Sequence, residues 1–301
     1  KTKSLMKYDI SRNEYTLLLN DAMLTSANVF SDDIPVLREN AGEIQFFNVF
    51  NGIATHFSAY TNETSYPLFT LGNQKILNKN IVRENTNTHY EIRIADKQNP
   101  MGTVIADDVD YLFVPAMNEN KSKVAYLTSA ALDPTGHSRL VCIDINGENF
   151  EVLGSGFVNC AGNSGSISWY ENRNNSTNKI AGIKSNQITV LDIRTKNETT
   201  ITADDSVKTN PTFSSNGEKI AYFGSTKFIQ VVDCQSKEDI IYYTLPKDYT
   251  IINRIIWSKD DRYLAISMNK SGLSVSQIVL IDLFTKDSFF IDSNSNYAVF
   301  Y

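Results

Sequence analysis

What this 301-residue chain lacks narrows it quickly. No apolar run approaches the ~18 residues needed to cross a bilayer, and the stretch from Ile251 to Trp257 is broken by Asn253 and Arg254. A net charge of −6 gives no clustered basic surface, so DNA or RNA is not an expected partner. Only three cysteines occur, Cys142, Cys160 and Cys234, without a Cys-x-x-Cys spacing. They cannot build a disulfide scaffold or a four-thiolate zinc site, and they read as small buried packing residues with room for one pair. Phosphate loops, dinucleotide fingerprints and nucleophile elbows are missing too. Gly162-Asn163-Ser164-Gly165-Ser166 holds serine in the wrong order for an elbow and reads as a Gly/Ser-rich approach to a strand. No cofactor is expected. The sequence opens at Lys1 rather than methionine, which fits removal of an export signal or lipid-anchor segment.

What the chain has is a repeat. Six times a short apolar strand runs into aspartate and a polar turn, at Asp9, Asp96, Asp144, Asp192, Asp233 and Asp282. The last five are 48, 48, 41 and 49 residues apart, a period that belongs to stacked four-stranded β units, and the 87 residues from Asp9 to Asp96 leave room for two. The aspartate itself needs no catalytic explanation. At a strand end its carboxylate accepts hydrogen bonds from the backbone of the following turn, so it serves as punctuation.

The unit is clearest from Thr209 to Leu245. Pro211–Phe213 reads as a first strand, Ser214-Ser215-Asn216-Gly217 as a turn, Lys219–Phe223 as a second strand, Phe228–Val232 as a third and Ile240–Leu245 as a fourth. The next unit repeats the order through Ile255–Trp257, Tyr263–Ile266, Gln277–Asp282 and Ser288–Ile291. Lys123–Leu127 and Lys179–Ile183 are second strands of looser units, Glu43–Phe47 takes that part in the first full unit, and Leu71–Asp107 is placed mainly by spacing.

The stretches Phe213-Ser214-Ser215-Asn216-Gly217-Glu218-Lys219-Ile220-Ala221-Tyr222 and Trp257-Ser258-Lys259-Asp260-Asp261-Arg262-Tyr263-Leu264-Ala265-Ile266 resemble the aromatic-Ser-Pro-Asp-Gly-Lys-x-Ile-Ala signature of TolB-type, WD-repeat-like β-propeller repeats. Both lack the proline after serine, and the N-terminal third departs from the pattern. The resemblance implies a propeller, often on an exported bacterial protein, and hence an extracytoplasmic location, periplasmic or cell-surface. It implies no particular chemistry.

Six repeats run from about Ala22 to Ile291, with a strand pair from Leu5 to Leu19 and a terminal strand Tyr297–Tyr301 left over. Since 301 divided by 7 is 43, the expectation is one all-β domain over 1–301, a seven-bladed propeller of four-stranded antiparallel blades whose termini share a blade. Six blades is the alternative.

His56, His89 and His137 each precede a predicted third strand in consecutive units. That makes them candidates for a binding face formed by the loops between second and third strands, although no carboxylate recurs at fixed spacing from them, and no metal site is expected. The function expected from this pattern is non-enzymatic: a rigid, loop-rich face presented to a protein, peptide or glycan. The alternative is a funnel enzyme such as a metal-dependent polysaccharide lyase, which would need histidine convergent with lysine or arginine.

Overall fold

The computed structural model describes residues 4–20, 22–24, 33–38, 43–48, 54–57, 65–71, 75–84, 87–96, 98–110, 113–130, 138–157, 165–172, 174, 176–225, 227–251, 255–270 and 276–291. For the strands between 22 and 70 that description is of backbone alone. Among these residues there is no helix, and so none that is long and apolar enough to cross a membrane.

The chain falls into two compact units, Lys1–Asp107 and Asp108–Phe300. In the first, β1 (Ser4–Asp9) and β2 (Glu14–Asn20) form a two-stranded antiparallel hairpin. A four-stranded sheet follows, made of β3 (Ala22–Leu24), β4 (Asp33–Arg38), β5 (Glu43–Asn48) and β6 (Ala54–Phe57) in chain order. A second sheet joins β7 (Ser65–Leu71), β8 (Lys75–Glu84), β9 (Asn87–Ala95) and β10 (Thr103–Ala106). Glu43–Phe47, expected as a second strand, is the third. The short Ala22–Leu24 strand takes the first place and Asp33–Arg38 the second, and neither carries the aromatic-Ser turn that marks those positions later. The unit that only spacing located is a complete sheet.

The second unit holds four such sheets. They are β12 (Ala116–Met117), β13 (Lys123–Leu127), β14 (Arg139–Asp144) and β15 (Glu151–Ser155); β17 (Ser168–Asn172), β18 (Thr177–Lys184), β19 (Gln187–Asp192) and β20 (Glu198–Thr200); β21 (Lys208–Phe213), β22 (Lys219–Gly224), β23 (Phe228–Asp233) and β24 (Asp239–Thr244); and a last one. In that last sheet β25 (Tyr249–Ile251) and β26 (Ile256–Trp257) both pair with β27 (Tyr263–Lys270), followed by β28 (Ser276–Asp282) and β29 (Ser288–Ile291). Ahead of β12 and β17, β11 (Phe113–Val114) and β16 (Gly165–Ser166) make a short parallel pair, so the Gly/Ser segment does lead into a first strand.

Apolar side chains line the second and third strands, where Val, Ile, Leu and Tyr sit at 0–6% exposure in β13–β14, β18–β19 and β22–β23. Sheets packed on both faces select such runs. Fourth strands are the exposed ones, as Glu198, Thr199 and Thr200 illustrate.

The recurring aspartate caps its turn at Asp96, Asp192, Asp233 and Asp282, whereas the Asp144 carboxylate takes the side chains of Asn149 and Lys123 instead. Asp233 accepts from the backbone N–H of Gln235 and Ser236 at 2.9 and 2.8 Å, Asp96 from those of Gln98 and Asn99, and Asp282 from those of Phe284 and Thr285. Four residues after the aspartate, Lys196, Lys237 and Lys286 all take a left-handed backbone near φ 60°, and each donates its N–H to the aspartate carbonyl. This is one turn used three times.

The Ser-x-x-Gly and Ser-x-x-Asp turns are equally specific. Ser214 and Ser258 donate their hydroxyls to Asn216 and Asp260 and accept the N–H of Lys219 and Tyr263. Neighbouring sheets are tied through the same turns. Asp261 accepts from the N–H of Ser215 and Asn216, and Trp257 Nε1 donates to the Thr212 carbonyl at 3.0 Å.

Candidate functional site

Against this repeat, the departures are what single out a site. The first lies on β8 and β9, strands of ten and nine residues that are the longest among the described residues. Among the described residues β7 pairs with β8 as far as Asn80, and β10 reaches β9 as far as Ile92. Beyond them the four pairs Ile81↔Tyr90, Val82↔His89, Arg83↔Thr88 and Glu84↔Asn87 continue as a two-stranded arm at the end of the sheet where second and third strands connect.

His89 stands on this arm, and strand alternation places Glu91 and Arg93 on its face. Glu91 is 8% exposed. One of its carboxylate oxygens lies 3.3 Å from His89 Nε2, and the other accepts from Arg93 Nε at 2.6 Å. Arg93 Nη1 also donates to the Met101 carbonyl, which anchors the row to the turn before β10. Opposite Arg93 stands Asn78, buried, whose Oδ1 finds no hydrogen-bond partner among the described residues. On the other face Lys79 Nζ lies 5.0 Å from the centre of the Tyr90 ring, a cation–π contact that stiffens the arm's root. A row of imidazole, carboxylate and guanidinium, held by its own pairs, is suited to hydrogen-bonding a polar ligand in a fixed orientation.

His56 lies in β6, the fourth strand of its sheet, so it is not equivalent in position to His89 in a third strand. Its side chain, and all of His137, lie outside the described residues. The carboxylate missing from the expected pattern is Glu91, two residues after His89. A period-2 reading of His89-x-Glu91-x-Arg93 carries that signal, because alternate strand residues share a face. Among the described residues no three metal-type side chains come together.

A second departure is Lys208, whose side chain is wholly buried at the start of β21. Its ammonium donates to the Asp204 carbonyl and carboxylate and to the Ser206 carbonyl, at 2.9–3.0 Å. Hydrogen bonds from Ser206, and then from Lys208, hold the Asp204 carboxyl down to about 2. Nearby, the Tyr222 hydroxyl donates to Asp239, and burial pushes both groups up. These groups satisfy one another, and a buried charge that is fully caged is structural.

Cys142 and Cys234 are free thiols, each raised to about 11 by burial, and so unreactive as nucleophiles at neutral pH; Cys160 lies outside the described residues. The third departure, a cleft beside Cys234, is treated below.

No family model and no curated protein sequence matches the chain. Solved structures do match. TolB from Acinetobacter baumannii superimposes with a TM-score of 0.56 at 12% identity over 98% of this chain and 79% of that one. Oligogalacturonate lyase from Vibrio parahaemolyticus gives 0.58 at 12% over 97% and 85%. A chain of the nidogen/laminin complex gives 0.56 at 11% over 92% and 95%. Identities this low speak for fold alone, and the fold they share with this chain is the β-propeller of TolB-type proteins.

Proposed function

We propose that the chain is a non-enzymatic binding propeller that engages a protein, peptide or glycan through the loops joining second and third strands, outside the cytoplasm. The observation that carries this reading is the β8–β9 arm, which among the described residues runs four residue pairs past both neighbours and is braced at its root by the His89–Glu91–Arg93 row. A rigid projecting ribbon enlarges a recognition surface at little entropic cost, because its backbone is already ordered. The likeness to TolB and to a chain of the nidogen/laminin complex supports an interaction role and an extracytoplasmic setting.

The test replaces Ile81–Tyr90 with a two-residue Asn-Gly turn and compares both chains on glycan and peptide arrays. A ligand held by the natural chain and lost by the shortened one, at an unchanged melting temperature, is the expected result. Equal binding by both chains would sink the proposal.

The oligogalacturonate lyase likeness, together with His89 and Arg93 on one strand face, favours a second reading as a metal-dependent polysaccharide lyase. Release of ultraviolet-absorbing unsaturated product from oligogalacturonate, dependent on added manganese and lost in His89→Ala, would establish that reading instead.

A further inference from the structure

Five sheets place a basic residue at the start of the second strand beside the aspartate that ends the third, and in three of them the two close into an ion pair. Lys75 lies 3.8 Å from Asp96, Lys123 2.6 Å from Asp144 and Arg262 2.8 Å from Asp282. Lys219 and Lys179 are directly across the ladder from Asp233 and Asp192, yet the side chain of neither forms an ion pair or hydrogen bond among the described residues, and of the two it is Lys179 that faces a cavity. It lines a cleft of about 370 Å³ between the sheet of β17–β20 and that of β21–β24, together with Asp192, Asn197, Thr199, Phe213 and Cys234. Such a volume lies in the range of small-molecule sites, roughly 300–1,000 Å³.

From this geometry we infer that the cleft binds a small organic acid, a single carboxylate on a short apolar body. Lys179, a half-buried residue, provides the cation, at a position where three of its four repeat counterparts are ion-paired. Asn197 and Thr199 present side-chain donors on the same wall, while Phe213, Val190 and Ile201, all buried, give an apolar floor.

Asp192 fixes the charge class. Its Oδ1 accepts from the N–H and hydroxyl of Thr195 at 2.8 and 3.0 Å, which keeps it ionised at the rim. A second negative charge on the ligand would be repelled there, whereas a monoanion reaching Lys179 is not. The Cys234 thiol, neutral because burial raises it, adds no repulsion. This site is independent of the arm on β8–β9.

Cys234 supplies the readout. Iodoacetamide labelling at alkaline pH, resolved by mass spectrometry, is followed with benzoate, hexanoate or inorganic phosphate as probe. Benzoate and hexanoate should slow labelling of Cys234 saturably in the natural chain, and phosphate should not. Lys179→Gln should weaken that protection by about tenfold, the loss of one charge-assisted hydrogen bond, and Lys179→Arg should retain it. Melting curves check that each variant is folded, and Thr199→Val, an exposed position, gives a second, weaker loss if Lys179→Gln unfolds. Undiminished labelling at saturating benzoate overturns the inference. So does equal protection in folded Lys179→Gln, and protection by phosphate as strong as by benzoate overturns the monoanion assignment.

Discussion

Arg262 directs Nε and Nη2 onto one carboxylate oxygen of Asp282, at 3.1 and 2.8 Å, while the other oxygen accepts from the backbone N–H of Phe284 and Thr285. Asp282 is 3% exposed, so the guanidinium is what makes its buried charge tolerable. Arg262→Ala should therefore lower the melting temperature by several degrees, and Arg262→Lys by less, since lysine keeps the charge without the fork. The Arg262 bonds also hold the Asp282 carboxyl below its ordinary 3.8. The difference between natural chain and Arg262→Ala should be full at neutral pH and shrink as pH falls below that value. A difference that stayed constant down to pH 2 would show that Asp282 is not the partner that matters.

Asp233 tests the turn role in isolation. Its carboxyl is held low by the N–H groups of Ser236 and Gln235, as that of Asp192 is by Thr195, while Asn149 and Lys123 hold Asp144 low and Arg262, then the turn N–H groups, hold Asp282 low. A depressed carboxylate contributes stability that is present above its unfolded value and lost as pH falls through the folded one. Acid unfolding should thus set in below about 3.8 and involve several turns together. Asp233→Asn should cost at most ~1 kcal/mol, because the amide oxygen still accepts, and Asp233→Ala somewhat more. Loss of ligand binding in Asp233→Asn at an unchanged melting curve would mean that the residue does more than form a turn.

These aspartates were legible in the sequence because capping is local: one side chain and the three residues after it decide the geometry. Their partners Lys75, Lys123 and Arg262 also stand at a regular position, but pairing across a ladder depends on register, which a strand pattern alone does not fix. The strand pair expected from Leu5 to Leu19 forms, as the hairpin Ser4–Asp9 with Glu14–Asn20. Strand order was misjudged where short strands replaced signature turns, so Glu43–Phe47 and His56 each moved one place along their sheet. The arm was not legible, since Leu71–Asp107 was placed mainly by spacing and the arm depends on where β10 stops, which no residue pattern announces. The cleft at Lys179 could not be read at all, since it depends on an ion pair that fails to close.

Gly217 shows how tightly a signature turn is bound to its neighbour. It adopts φ +72°, and an added Cβ would run into the ring of Tyr170, which belongs to the adjacent sheet and packs on Phe213 with ring centres 5.8 Å apart. Gly217→Ala must therefore both strain the turn and displace an aromatic ring, at a cost of about 1–3 kcal/mol. In a Tyr170→Ala background the same change should cost less, because only the backbone strain is left. Equal costs in both backgrounds would show that the ring moves aside freely.

The last prediction concerns the ends of the chain. β1 and β2 form a two-stranded sheet among the described residues, whereas six other sheets have four or five strands. An isolated hairpin is marginal in water, so this one is expected to recruit further strands. The segment Tyr297–Tyr301, which lies outside the described residues, reads as a strand of aromatic and β-branched residues. If it pairs with the N-terminal hairpin, a seventh blade is closed by both ends of the chain, and seven periods of 43 account for all 301 residues. Deleting Tyr297 through Tyr301 would then remove a ladder of backbone hydrogen bonds together with several large side chains. Each large apolar side chain lost from a packed site costs roughly 2–4 kcal/mol, so the sum would rival the whole stability of a domain, ~5–15 kcal/mol. The truncated chain should melt far below the full one or fail to fold. A melting temperature within a degree or two of the full chain would make the segment a tail and leave six blades as the count.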